Sequence, residues 1–156
     1  MKILVALGGN AIKQADQEGT CDEQTENCGQ TAEQLAKIVS EFKGGDDWLA
    51  VTHGNGPQSG NLSVQQEAGK DKVAPQPLYI VGAMTQGQIG YMLQNQMQQH
   101  LRSHGIDKDV IAVVNQVLVD PNDPEVVGDA ASKPVGNFFG EAEAKELKAK
   151  HPDYIV

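Results

Sequence analysis

VTHGNGPQ, residues 51–58, carries a short apolar run into Gly-Asn-Gly and then into proline, and VALGGNA, residues 5–11, makes a similar passage near the start of the chain. A strand that ends in glycines and leads into a helix gathers successive backbone N–H groups into one small volume. Glycine suits such a bend because a Cβ would block either a positive φ or the approach of a ligand. At the second bend Pro57 falls where the first helical residue is expected, since its missing N–H has no role there. A helix is predicted from this point toward Gly69, with an apolar face thinned by Ser59 and Ser63.

Outward from the bends, ILVAL (3–7) is a continuous apolar run and predicts a strand buried on both faces of a parallel sheet. WLAVT (48–52) predicts the second strand. Between them Thr20 with Glu23 forms a capping box, and Cys28, Ala32, Leu35, Val39 and Phe42 recur at steps of three and four along one helical face. Gly44-Gly45 closes that helix. Strand, helix, strand defines a right-handed βαβ unit with parallel strands. Both bends then fall at the carboxyl ends of neighbouring strands, where open α/β sheets form their ligand crevice.

The chemistry offered there is anion binding. Unpaired N–H groups at a helix start, reinforced by the helix dipole, hold negative charge without a cationic side chain. Asn10 and Asn55 add amides able to donate to a phosphoryl oxygen, or else to cap a helix or form a turn. Neither bend is a Walker A or GxGxxG motif. His53 precedes the second bend with no Asp or Glu placed by sequence to orient it, so a structural role is preferred over general base. Ser59 lacks the GxSxG context of a hydrolase nucleophile.

The remainder of the chain is read similarly. Residues 82–105 form a long helix with Ile89, Leu93, Met97 and Leu101 in one stripe, Gly87 and Gly90 in a smooth patch, and a Gln-rich solvated face. DVIAVVNQVLV (109–119) predicts the third and strongest strand. Residues 120–140, with three prolines and little periodicity, predict a flap-like excursion whose lone cation is Lys133, either a solvated loop lysine or one that closes on a ligand. EAEAKELKAK (141–150) is a short charged helix, and the final YIV reads as a strand beginning, so the chain looks cut short. The expected organisation is a body over 1–119, the excursion over 120–140, and a return helix with the start of a strand over 141–156.

Bulk properties narrow the classes. A chain of 156 residues fits one domain and can bury roughly 68–70% of its unfolded surface. With 39% hydrophobic and only 4% aromatic residues, the core must rest on Val, Ile, Leu and Ala. A net charge of −9 argues against nucleic-acid or anionic-membrane partners, but not against phosphate held by backbone amides. Two cysteines, Cys21 and Cys28, without CxxC spacing, fit a reducing cytoplasmic setting, and Cys28 reads as a small buried hydrophobe. No apolar run approaches the ~18 residues of a membrane helix.

ALGGNA, THGNGPQ followed closely by GN, GAMTQGQIGYMLQ, VDPNDP and KPVG stand in the order and approximate spacing of carbamate kinases, of the amino acid kinase family, and the chain resembles them over residues 2–148. The resemblance implies an α/β fold, three-layer αβα with a mainly parallel open sheet, plus a small protruding subdomain. It implies reversible phosphoryl transfer between ATP and carbamate, giving ADP and carbamoyl phosphate, in arginine fermentation. By position, Gly8, Gly9 and Asn10 would bind the transferred phosphoryl group. Gly54, Asn55 and Gly56 would hold carbamate or the acyl-phosphate end, and Lys133 would reach in as the catalytic lysine. ATP/ADP with Mg2+ would sit mostly on a second half that this chain lacks, and a homodimer is implied, with the apolar stripe of the long helix as a contact. Ser59, Ser63, Tyr79 and Gly140 depart from the family pattern. Two other readings compete: an inactive fragment that binds an anion or self-associates, and another acyl-phosphate-forming kinase of the superfamily.

Overall fold

The computed structural model describes residues 1–124 and 139–150. Strand β1 (Lys2–Leu7) and strand β2 (Trp48–His53) pair in parallel, linked by helix α1 (Cys21–Ser40). Helix α2 (Gly56–Gly69), helix α3 (Leu78–Ser103) and helix α4 (Glu141–Lys150) follow. The α/β class with a parallel sheet is the one the sequence predicts.

α1 begins where its capping box places it. Thr20 accepts from the Glu23 N–H at 3.3 Å, while the Glu23 carboxylate accepts from the N–H groups of Thr20 at 2.8 Å and Gly19 at 2.7 Å. Those backbone donors, Thr20 first, hold the Glu23 carboxyl below the usual carboxylate range. α3 starts earlier than its apolar stripe suggests, because Pro77 supplies the extended N-cap and Leu78 the first helical residue.

The core lies between α1 and α3. Ala32, Leu35, Ala36 and Val39 of α1 meet Met97 and Leu101 of α3, and Val5, Leu49 and Val51 of the sheet pack against this cluster. A second cluster joins Ile12, Cys28, Ile89, Met92 and Leu93, with Leu7 against it. The Ile89–Leu101 stripe is therefore core and is not available as a dimer contact. The strands differ from expectation too. β1 alternates exposed and half-buried residues, and Leu4 is 67% exposed, since α1 and α3 pack on the Val5/Val51 face. The opposite face of the sheet carries Leu4 and Ala6 into the open.

Cys28 is buried in the second cluster, where desolvation pushes its thiol up to about 11, while Cys21 is exposed. The thiolate is the reactive species. Iodoacetamide should accordingly modify Cys21 and spare Cys28 in the folded chain, with both reacting in denaturant. Peptide mass spectrometry reads the outcome, and rapid native labelling of Cys28 would contradict the packing.

The third strand is a correction. Residues 109–119 join no ladder, and among the described residues the sheet has two strands, β1 and β2. Glutamines of α3 take the place of a ladder. Gln98 donates to Lys108 O at 3.0 Å and accepts from Val110 N at 3.2 Å, and Gln94 donates to Val110 O at 2.7 Å. Gln86 accepts from Asn115 N at 3.0 Å. A Cβ placed on Gly90 would lie 3.0 Å from the Ala112 Cβ, so this glycine allows the segment its close approach. Buried backbone polar groups need partners, and here side-chain amides along one helix face supply them at Lys108, Val110 and Asn115. The Gln-rich face is thus a docking surface for the chain itself. A groove of ≈ 400 Å³ remains beside it, lined by Trp48, Leu49 and Val51 of β2 and by Val110 and Ile111.

Candidate functional site: two glycine bends at adjacent strand ends

In the ladder Leu7 lies opposite His53, so Gly8 and Gly54 leave neighbouring strands at the same level. Adjacent strands are about 4.8 Å apart. The two bends are therefore side by side at the carboxyl end of the sheet.

The first bend becomes a single 3₁₀ turn, Gly9–Ala11, with Gly8 extended before it at φ −75° and ψ 167°. Its internal hydrogen bonds begin at Ala11 N, which donates to Gly8 O at 3.1 Å. The N–H groups of Gly9 and Asn10 precede that bond and lie outside the turn's own pairing. Asn10 is exposed. The second bend opens α2, whose first internal bond is Ser59 N to Asn55 O at 2.9 Å. Gly56 is the first helical residue, and Pro57 the second, one place later than the sequence suggests.

The glycines at these bends are not there for backbone conformation. Among described residues only Gly19 and Gly105 have positive φ. The bend glycines leave open space, as several other glycines do: a Cβ added at Gly8, Gly9, Gly54 or Gly56 would meet no heavy atom within 4 Å. No side chain therefore crowds the Cβ positions of these four glycines.

The two asparagines part company. The Asn55 amide donates to Thr85 Oγ1 at 2.7 Å and to Gly82 O at 3.2 Å, so it ties the second bend to the start of α3 and makes no cap bond. Ser59 Oγ lies 3.1 Å from Thr85 Oγ1, and Ser63 Oγ donates to Ser59 O at 2.8 Å. Of the serines that interrupt the apolar face of α2, Ser59 thus pairs with a hydroxyl of α3 and Ser63 with a carbonyl of its own helix. His53 Nδ1 is 2.9 Å from Gly54 O. The carbonyl accepts, so Nδ1 carries the proton, and the planar peptide turns Asn55 N–H the other way. Lys133 lies outside the described residues, as does most of the proposed excursion.

Sequence reasoning missed the polar residues behind the bends. Asn27 Nδ2 donates to Ile12 O at 3.1 Å and Thr31 Oγ1 to Ala11 O at 3.2 Å, anchoring the first bend to α1. Gln58 Nε2, in the first turn of α2, donates to Gln24 Oε1 at 2.9 Å, and Gln24 Nε2 donates to Gly19 O at 2.7 Å. Gln24, Asn27 and Thr31 recur at helical spacing, which was a readable signal, but the apolar stripe through Cys28 masks it. Among the described residues, every buried side-chain N or O atom has a hydrogen-bond partner.

No group of three or more His, Cys, Asp or Glu side chains able to hold a metal occurs among the described residues. No helix among them is long and apolar enough to cross a membrane.

A parallel β-α-β unit with glycine bends at two adjacent strand ends places this chain among open α/β proteins, whose ligand crevices form at the carboxyl ends of the strands. By sequence and fold the chain is homologous to carbamate kinases and corresponds to their N-terminal half. The carbamate kinase of Thermococcus kodakarensis is 46% identical over 99% of this chain and 48% of its own length. That of Trichomonas vaginalis is 43% identical over 95% and 46%. The structure of carbamate kinase from Giardia lamblia bound to AMP-PNP superposes with a TM-score of 0.87 at 36% identity, over 97% of this chain and 46% of that one. The chain spans about half the length of the curated relatives it matches. No protein-family model matches it.

Proposed function

We propose that this chain forms the carbamate and phosphoryl side of a carbamate kinase site, for reversible phosphoryl transfer between ATP and carbamate. The observation that carries the reading is the register of Leu7 against His53, with unobstructed glycines beyond both. Gly8, Gly9 and Asn10 would hold the transferred phosphoryl group. Gly54 and Gly56 would hold carbamate or the acyl-phosphate end through their backbone, and Lys133 would close on the anion. Asn55 enters this scheme as the residue that fixes the second bend, because its amide donors are spent on α3. Phosphoryl transfer depends on positioning and on donors preorganised at developing negative charge, and main-chain amides meet that need in an acidic protein.

ATP use is supported by the homologous kinases and by the AMP-PNP bound to the Giardia enzyme. The nucleotide and Mg2+ would be held largely by groups beyond this half, as the length of the relatives supports. A cytoplasmic setting, a homodimer and a place in arginine metabolism belong to the same proposal.

The experiment is a titration of the 15N-labelled 156-residue chain with carbamoyl phosphate. Amide signals of Gly9 and Gly54 should move together with one weak dissociation constant. The chain alone should form no ATP from ADP and carbamoyl phosphate. Absence of shifts at both bends would reject the anion reading, and robust turnover would reject the division of the site between two halves.

A further inference from the structure

We propose that the N-terminal face of α1 is a template that sets the separation of the two bends, with Gln24 and Gln58 as positioning residues. The inference deepens the proposed function and rests on it.

Among the described residues, α1 is the one element tied by side-chain hydrogen bonds to the chain behind both bends. Asn27 and Thr31 hold the carbonyls of Ile12 and Ala11, directly after the first bend. One turn toward the N-terminus, Gln24 receives Gln58, two residues after the last glycine of the second bend. Gln24, Asn27 and Gln58 are each at least 94% buried. Gln24 is itself fixed from the far side, since its amide donates to Gly19 O just before α1. The relay from α2 to Gly19 thus runs through two donors, Gln58 Nε2 and Gln24 Nε2, and two acceptors, Gln24 Oε1 and Gly19 O.

Further along the same helix Ala32, Leu35, Ala36 and Val39 make an apolar contact instead, with Met97 and Leu101 of α3 and with the sheet. An apolar interface would hold α2 as well in energetic terms, and it would tolerate sliding. A satisfied buried amide pair fixes distance and orientation together. That matters only where two groups on different elements must act on one ligand, since a misplacement of about 1 Å can cost about a hundredfold in a positioned reaction. Placing the amide pair at the bend end of α1, and apolar packing elsewhere, matches that requirement.

The test uses Gln58→Met and Gln24→Met in the full 156-residue chain, because methionine keeps length and volume while removing the hydrogen bond. The probe is carbamoyl phosphate, followed by amide shifts of Gly9 and Gly54. In the unaltered chain both signals should follow one isotherm. In either variant the affinity should fall about tenfold, and the Gly54 shift at saturation should fall to less than half while that of Gly9 persists. A purely structural role would lower thermal stability and leave this joint response intact among folded molecules. A folded variant with unchanged affinity and both signals moving together overturns the template. Two variants are used so that poor folding of one leaves the other to decide. Absence of any shift in the unaltered chain would instead reject the anion reading, and the template with it.

Discussion

Gly9→Val and Gly54→Val should each lower the affinity for carbamoyl phosphate by about a hundredfold or more while leaving the chain folded. A hydrogen bond to a charged group contributes roughly 1.5–3 kcal/mol, and about 2.7 kcal/mol is a hundredfold, so blocking one or two amides suffices. The fold should tolerate the change because neither glycine has a positive φ and a Cβ at either meets nothing within 4 Å. The valine side chain would instead occupy the space in which the ligand must sit. Two control substitutions separate the causes. Gly45→Val also meets nothing within 4 Å but precedes β2, at the other end of the strands, and should bind normally. Gly19→Val should destabilise, since Gly19 has φ 91° and a Cβ there would lie 2.8 Å from the Lys13 side chain. Calorimetry with carbamoyl phosphate reads all four. Unaltered affinity in Gly9→Val and Gly54→Val would reduce the bends to strand-to-helix geometry.

How far the sequence carries is clear from particular residues. Thr20 with Glu23, the stripe from Cys28 to Val39, and the apolar run 48–52 located α1 and β2 to within a few residues, because caps and periodicity are local. Residues 109–119 fail for the opposite reason. Their β-branched content satisfies every local rule for a strand, yet a strand exists only where a partner supplies the ladder. The partner here is a row of glutamines on α3, and nothing in the run itself reports them. The bends were legible as glycine-rich strand ends. The work of Asn55 was not, because Gly82 and Thr85 lie 27 and 30 residues further along the chain. Thr85 could have been noticed: it is fully buried between Val81 and Ile89, a hydroxyl in an otherwise apolar row at steps of four.

The same contrast predicts where truncation of an apolar side chain matters. Leu101→Ala should destabilise the chain by about 2–5 kcal/mol, the usual range for leucine removed from a core. Leu101 is 2% exposed and packs in the cluster shared by α1 and α3, against which both strands pack. Native domains are stable by only about 5–15 kcal/mol, so the loss is a large share of the total. With a urea dependence of about 1–3 kcal/mol per molar, the unfolding midpoint should drop by about 1–2 M. Ile111→Ala removes as much apolar side chain from the segment that reads most strongly as a strand, but Ile111 is 79% exposed. Its cost should stay within about 0.5 kcal/mol, as for other surface positions. Equal destabilisation by the two would mean that residues 109–119 pack into the sheet in solution, and that the glutamine face of α3 does not hold them apart from it. An unmoved midpoint in Leu101→Ala would contradict the buried α1–α3 interface as the centre of the core.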